Sequence, residues 1–273
     1  MKHFPVAVQL YSIRDDMAAD FEGSLRAVKE MGYDGVEFAG LYGHSPAEVR
    51  ALCEKYSLTP ISAHVAYDEM MAHPQQTMAD YAAVGCRYIA IPYLTEEYRP
   101  GASRYPELVE NVRMLGKVAK ENGLTLLYHN HDFEFQKIDG VYALDKLYAD
   151  VPADLLQTQL DACWVNVGGE DPAAYLRRYT GRAPTVHLKD FVMPGKKPQN
   201  MYHLIGIDDD QPSEVSGFEY RPLGMGAQDM PALLQACEDA GAEWVIVEQD
   251  DPCLGKTPME CIRLSAEYMQ SIQ

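Results

Sequence analysis

ENGLTLLYHN, residues 121–130, contains a step that repeats along this chain: the end of a helix, a glycine or a polar break, a short apolar strand and polar side chains where that strand ends. The three leucines that follow the glycine predict a buried strand. Side chains alternate between the two faces of a strand, so His129 and His131 are expected on the same side at its C-terminal end. The segment YHNHDFEF (128–135) therefore predicts a polar site at the end of a buried strand.

The same step occurs at four other places: EMGYDGVEF (30–38), KYSLTPISAHV (55–65), AVGCRYIAIPY (83–93) and DAGAEWVIVEQ (239–249). A glycine at such a break fits the left-handed residue that commonly closes a helix. Helices that alternate with single strands indicate βα units and a parallel sheet. Further strands predicted at 6–12, 155–161 and 183–190 bring the count to eight. We therefore predict an α/β fold, a (β/α)8 TIM barrel forming one domain over residues 1–273.

Residues 192–228 are the one long irregular stretch of the chain. They include Lys196, Lys197, the run Asp208 to Asp210 and several glycines and prolines. A loop of this length inside a compact domain is usually functional. Because it follows the seventh predicted strand, we expect it to cover the barrel mouth as an active-site lid.

Composition excludes several classes of partner. Forty-one acidic and 23 basic residues give a net charge of −18, which repels nucleic acid. The chain has no early apolar run of the kind that marks an exported protein. It also has no apolar segment long enough to predict a membrane-spanning helix. Six scattered cysteines without a CxxC pair fit reduced thiols. We expect a cytoplasmic protein that binds neither nucleic acid nor membrane.

Polar residues follow or end each predicted strand, and a barrel brings these ends together around one axis. In chain order they are Gln9 and Tyr11, Glu37, His64, Tyr93, His129 and His131, Asp161, His187 with Lys189, and Glu248 with Asp250. Four of them are good ligands for one divalent metal: His129, Asp161, His187 and Glu248. A mixed imidazole and carboxylate set favours Mn²⁺, Co²⁺, Fe²⁺ or Zn²⁺ over the oxygen ligands that Mg²⁺ and Ca²⁺ prefer.

Several motifs together resemble the xylose-isomerase-like TIM-barrel family of sugar phosphate isomerases and epimerases, which includes inosose dehydratases and inosose isomerases. These motifs are QLYSIRDD (9–16), GVEFAG (35–40), ISAHV (61–65), YHNHDFEF (128–135), QLDACWVNVGGEDP (159–172), VHLKDF (186–191), PLGMGAQDM (222–230) and VIVEQDD (245–251). The resemblance covers nearly the whole chain. It implies one divalent metal, usually Mn²⁺ with Mg²⁺ among the alternatives, on the four residues named above. Barrels of this family often pair, so a homo-oligomer stays open.

One position departs from a known pattern of this family. Sugar 3-epimerases have a glutamate at the place of His129, and two opposed glutamates exchange a proton across the substrate carbon. His129 removes one of these bases, which argues against a symmetric epimerase. The resemblance is closer to the inosose-dehydratase branch, where a histidine occupies this position and water is eliminated next to a ketone.

These residues suggest roles in removing a proton beside a ketone to give a metal-stabilised enolate. Glu248, His131 or His64 is the expected base, since a base works best with a pKa near ambient pH. Lys189 is expected to hold a substrate oxygen, and Asp190 to support His187. The remaining candidates for substrate contact are Gln9, Tyr11, Glu37, Tyr93 and Glu134, although Glu134 also fits a support for the site or a solvated acid.

The sequence following the eighth strand argues against a phosphorylated substrate. Asp250 and Asp251 would repel a phosphate there, and Gly255-Lys256-Thr257 lacks the earlier glycine of a P-loop. We expect a divalent-metal-dependent isomerase or lyase acting on an unphosphorylated sugar, keto-sugar or inositol derivative. The alternatives are a sugar (phosphate) epimerase, a non-catalytic sugar-binding barrel, and a metal-dependent endonuclease-like hydrolase, which the net charge and the single ligand set oppose.

Overall fold

Eight parallel strands form a ring in the computed structural model, which describes residues 2–195 and 217–273. The described residues form twelve strands, eight in the ring and four in two small antiparallel sheets, β6-β7 and β10-β11. They are β1 (Val6–Gln9), β2 (Gly35–Phe38), β3 (Thr59–Ala63), β4 (Tyr88–Ile91), β5 (Thr125–His129), β6 (Lys137–Ile138), β7 (Val141–Tyr142), β8 (Gln157–Asp161), β9 (Thr185–Leu188), β10 (Asp190–Val192), β11 (Glu219–Arg221) and β12 (Trp244–Val247). The ring has the order β3-β2-β1-β12-β9-β8-β5-β4. Backbone bonds from Arg87 N to Ile61 O (3.1 Å) and from Val65 N to Ala90 O (3.0 Å) join its two ends. The predicted TIM barrel is confirmed.

Helices connect the strands, and capping side chains or glycines mark several of their ends. They are α1 (Arg14–Ala19), α2 (Phe21–Glu30), α3 (Pro46–Tyr56), α4 (Tyr67–Ala72), α5 (Pro74–Val84), α6 (Tyr105–Glu121), α7 (Ala143–Asp150), α8 (Ala162–Val167), α9 (Pro172–Arg178), α10 (Met230–Ala240) and α11 (Pro258–Ile272). Ser45 and Thr257 form capping boxes at α3 and α11. Gly85 and Gly241 close α5 and α10 in the left-handed conformation. Within 2–195 and 217–273, no helix has the length and apolarity needed to cross a membrane.

Two predicted strands are shorter in the structure. The segment 6–12 leaves the ring after Gln9, because the Gln9 side chain accepts a bond from Tyr11 N (3.0 Å) and the chain turns into a 3₁₀ helix, Leu10–Ile13. The segment 183–190 leaves the ring after Leu188, and β10 pairs instead with β11 in an antiparallel hairpin. In both cases the polar end of the segment bends away from the ring.

The predicted lid, 192–228, is described only at its two ends. Its charged residues Lys196, Lys197 and Asp208 to Asp210 lie outside the described residues, so covering of the mouth stays a prediction. The carboxylate of Asp190 fixes the far end by accepting bonds from the backbone N–H groups of Gly224 (2.9 Å), Gly226 (3.0 Å) and Gln228 (3.0 Å). A Cβ at Gly226 would lie 2.2 Å from Asp190 Oδ1, so this close approach requires glycine.

The barrel interior has an apolar layer beneath a polar one. Ala7, Ile61, Tyr88, Ala90, Leu127 and Ile246 form a buried apolar cluster. Because side chains alternate, three of these positions are followed two residues later by polar residues on the same face: Ala7 by Gln9, Leu127 by His129, and Ile246 by Glu248. The polar layer therefore lies at the C-terminal ends of the strands, where TIM barrels keep their active sites.

Helix α6 approaches the chain before β8 closely enough to require a glycine. A Cβ added at Gly116 would lie 2.2 Å from the carbonyl oxygen of Leu155. We expect Gly116→Ala to lower the free energy of unfolding by about 1–3 kcal/mol in a urea titration, because the helix must move outward. Lys117→Ala, on the exposed face of the same helix, should change it by less than about 0.5 kcal/mol. Equal stability of the two variants would contradict this packing.

Candidate functional site

Four ligand-type side chains meet at the ends of four adjacent strands. His129 ends β5, Asp161 ends β8, His187 lies in β9 and Glu248 follows β12. All four are buried, and each offers a ligand atom within 4.8 Å of the others. Their strands are consecutive in the ring, which explains how residues 119 positions apart in sequence, His129 and Glu248, come together. The structure thus places the predicted metal ligands in one cluster.

Two features of this cluster fit a divalent ion. Asp161 Oδ2 is buried and forms no hydrogen bond within the described residues, and the ammonium group of Lys189 lies 3.4 Å from it. Its nearest imidazole nitrogen, His129 Nε2, lies 3.8 Å away. Burial lowers the pKa of His129 well below its usual value, so the imidazole is neutral, which is the form that binds metals. The residues present therefore fit a metal with mixed nitrogen and oxygen ligands.

A buried carboxylate beneath the cluster orients His187. His187 Nε2 lies 2.7 Å from Glu37 Oε1, and its Nδ1 lies 2.6 Å from Glu248 Oε2. Glu37 also accepts bonds from the side-chain amides of Gln9 (2.7 Å) and Gln159 (2.5 Å). Burial raises the pKa of Glu37, but the charges of His64 and His187 outweigh it and hold this pKa at about 2. Glu37 is thus an ionised acceptor that fixes the ring of a metal-ligand candidate.

The structure gives four of the predicted residues contacts that the sequence did not indicate. Glu37, rather than Asp190, supports His187, because Asp190 is occupied by the loop backbone. Glu37 and Gln9 are fully buried, bond each other and are not among the residues that line the cavity, so substrate contact by them stays a prediction. Glu134 is also buried: it accepts a bond from the Tyr128 hydroxyl and from His131 N (2.8 Å). Glu134 therefore supports the backbone at His131 and is not a solvated acid, while its contact with a substrate stays a prediction.

A cavity of about 450 Å³ opens onto the cluster. The predicted site residues that line it are Tyr11, His64, Tyr93, His129, His131, Lys189 and Glu248, and Asp250 joins them. His64 Nε2 lies 2.6 Å from Gln159 Oε1, and its ring stacks on His187 with centroids 5.1 Å apart. His131 stacks on Phe133, and its Nδ1 has no hydrogen-bond partner within the described residues.

Lys189 places a buried ammonium group beside the ligands. Its Nζ lies 2.9 Å from Glu248 Oε2, 2.9 Å from Asp250 Oδ2 and 3.4 Å from Asp161 Oδ2. The side chain is 1% exposed, so it is not a surface lysine. The sequence places Asp250, the partner of Lys189, near a strand end and predicts only that this residue repels a phosphate.

Sequence reasoning missed two further residues of the site. Gln159, which bonds both Glu37 and His64, lies two positions before Asp161 on the same face of β8, so strand alternation alone would have found it. Tyr220, whose hydroxyl bonds Asp250, had no comparable signal. It lies beyond the long loop and reaches the site only through the hairpin of β10 and β11.

Comparison with known proteins agrees with this fold. Residues 25–272 match the family model described as xylose isomerase-like TIM barrel. An inosose dehydratase of Clostridium beijerinckii is 25% identical over 66% of the chain, and the match spans 58% of that relative. A sugar phosphate isomerase/epimerase from Parabacteroides distasonis superposes with a TM-score of 0.77, at 19% identity over 99% of this chain and 95% of that one. The IolI protein with a bound zinc atom gives 0.72, at 16% identity over 98% of each chain.

Asp161→Asn tests the ligand cluster, because it removes the charge of the carboxylate whose Oδ2 is unbonded. Mn²⁺ at a hundredfold excess over its Kd should stabilise the natural chain by about 2.7 kcal/mol, which raises its melting temperature. We expect the variant to fold and to lose this rise in a thermal scan. Glu69→Gln, which changes an exposed carboxylate lining the same cavity, is the control and should keep it. Full metal occupancy in the Asp161 variant would refute the ligand assignment.

Glu37→Gln tests the support beneath His187. The neutral amide is a weaker acceptor for His187, and its NH₂ group meets the amide donors of Gln9 and Gln159. We expect Mn²⁺ affinity, measured by calorimetric titration, to fall about 10–100-fold. Glu69→Gln again serves as the matched control. An unchanged affinity in the Glu37 variant would show that His187 is held by the remaining contacts alone.

Proposed function

This chain belongs to the xylose isomerase-like TIM barrel family, and from that premise we propose that it is a divalent-metal-dependent isomerase or lyase. The proposed substrate is an unphosphorylated sugar, keto-sugar or inositol derivative, and the proposed ion is Mn²⁺. The relative named inosose dehydratase supports this substrate class. The zinc atom in IolI supports a metal in a barrel of this fold, and Zn²⁺ is the main alternative ion.

The observation that carries the proposal is the buried ligand cluster at the floor of an open cavity. His129, Asp161, His187 and Glu248 would hold the ion. When bound, a divalent ion supplies Lewis-acid stabilisation of the negative charge that develops on a substrate oxygen. The imidazoles and the ammonium group that line the cavity supply proton transfer and a positive charge. This combination suits removal of a proton next to a ketone.

The contacts narrow the choice of base. Glu248 Oε2 is engaged by both His187 and Lys189 and is a proposed ligand, so it is poorly placed to take a proton. His64 Nε2 is engaged by Gln159. His131 lines the cavity and its Nδ1 has no hydrogen-bond partner within the described residues. Burial lowers its pKa, which keeps the imidazole neutral and able to accept a proton, although it is then a weaker base than a free histidine. We assign His131 as the base.

Lys189 completes the proposed chemistry. Its ammonium group lines the same cavity and can hold the substrate oxygen beside the carbon that loses its proton. Return of the proton to a neighbouring carbon would isomerise the substrate. Delivery of the proton to a neighbouring hydroxyl would release water and leave a double bond. The absence of a second glutamate at position 129 disfavours the symmetric proton exchange of an epimerase.

Incubation with Mn²⁺ in D₂O tests this function directly. We expect either myo-inosose or a 3-keto-glucoside to change, because proton removal beside the ketone is the common step. NMR and mass spectrometry measure the products. Deuterium uptake without loss of water identifies an isomerase. A new unsaturated ketone identifies a lyase. The Asp161→Asn variant is the inactive control. If neither product forms from either substrate at saturating Mn²⁺, this substrate class is excluded.

A further inference from the structure

Lys189 is the buried cation that balances the ligand carboxylates in this structure. Its Nζ shares Glu248 Oε2 with His187 Nδ1, at 2.9 Å and 2.6 Å, and lies 3.4 Å from Asp161 Oδ2. These two oxygens belong to the proposed metal ligands. A lysine that contacts the same oxygens competes with an incoming divalent ion, because like charges at this distance repel strongly where the dielectric constant is low.

The ammonium group therefore needs a partner that is not a metal ligand. A buried charge that loses its partner is strongly destabilising, so Lys189 cannot simply give up Glu248 and Asp161. Asp250 meets this need. Its Oδ2 lies 2.9 Å from Lys189 Nζ, it is 4% exposed, and it is not part of the ligand cluster among the described residues.

Tyr220 holds Asp250 from the other side. Its hydroxyl bonds the Asp250 carboxylate, and the residue is buried in an aromatic cluster with Trp164, Phe191 and Phe218. Tyr220 lies in β11, opposite Phe191 of β10, and β10 begins at the residue after Lys189. The two groups that contact Asp250 are thus linked by the antiparallel pairing of β10 and β11, which positions the carboxylate relative to the lysine.

We propose that Asp250 and Tyr220 are positioning residues that retain the Lys189 ammonium group when a divalent ion takes its place on Glu248 and Asp161, so that the ion can bind beside a buried lysine. The proposal rests on the metal dependence proposed above. With the ion bound, Lys189 is retained by Asp250 at the wall of the cavity, where it can contact a substrate oxygen. Without Asp250, Lys189 stays on Glu248 and Asp161 and opposes the ion.

A double-mutant cycle on Mn²⁺ affinity tests this arrangement. The Kd is measured from the signal of free Mn²⁺ in electron paramagnetic resonance, for the natural chain, Asp250→Asn, Lys189→Met and the double variant. We expect Asp250→Asn to weaken Mn²⁺ binding about 10–100-fold, as other supports of metal sites do. In the Lys189→Met background the same substitution should change Kd less than about threefold, because the competing ammonium group is gone.

Tyr220→Phe is the milder companion variant. It removes one hydrogen bond from Asp250 and keeps the aromatic ring in its cluster, so the fold should be preserved. We expect Mn²⁺ binding to weaken about 3–10-fold in this variant. Circular dichroism and urea unfolding of each variant show whether the protein is folded before affinities are compared, and Glu69→Gln serves as the control for loss of one carboxylate at the cavity.

Three results would overturn the proposal. One is an Asp250→Asn variant that binds Mn²⁺ as tightly as the natural chain. Another is an equal loss of affinity on Asp250→Asn in both backgrounds, the natural chain and Lys189→Met. Asp250 would then act only by attracting the ion. A third is an unchanged Kd in Tyr220→Phe, which would remove Tyr220 from the arrangement. If the natural chain itself binds no Mn²⁺ or other divalent ion, the metal-dependent function fails before the cycle begins.

Discussion

The hydrogen bond between His187 and Glu37 joins the barrel interior to the candidate metal cluster. Glu37 is fully buried and accepts bonds from two glutamine side chains as well as from His187. A carboxylate in this position is stable only because every neighbour donates to it. Its network therefore fixes the orientation of His187, and through His187 the spacing of the other ligands.

The charge of the molecule is distributed in two different ways. The chain as a whole carries a net charge of −18. At the barrel mouth, by contrast, buried carboxylates are balanced by Lys189 and by His187. Burial lowers the pKa of His187, but the neighbouring Glu37 and Glu248 outweigh this effect and raise it to about 10. Buried charges persist only when they are paired. The buried carboxylates of the site are thus already paired with cationic groups, so a divalent ion must replace positive charge that is already present.

Much of the fold and of the ligand cluster is predictable from sequence because both depend on local patterns. A glycine after a helix, a short apolar run and a polar end repeat along the chain, and this period predicts the parallel barrel. The ligand-type residues end these runs, so the barrel brings them together. The boundaries were less accurate where a side chain competes with the ring for the backbone, as Gln9 does at Tyr11 N.

The barrel, the family and the strand-end positions of His129, Asp161, His187 and Glu248 can be predicted from the sequence, because strand alternation and chain order are local properties. Which polar residues line the cavity, and which bond one another away from it, depends on the tertiary structure. It moved Glu37, Gln9 and Glu134 into supporting positions and brought in Gln159 and Tyr220. The physical reason is that a buried polar group takes whichever partner the fold places within bonding distance, and that partner is often far away in sequence.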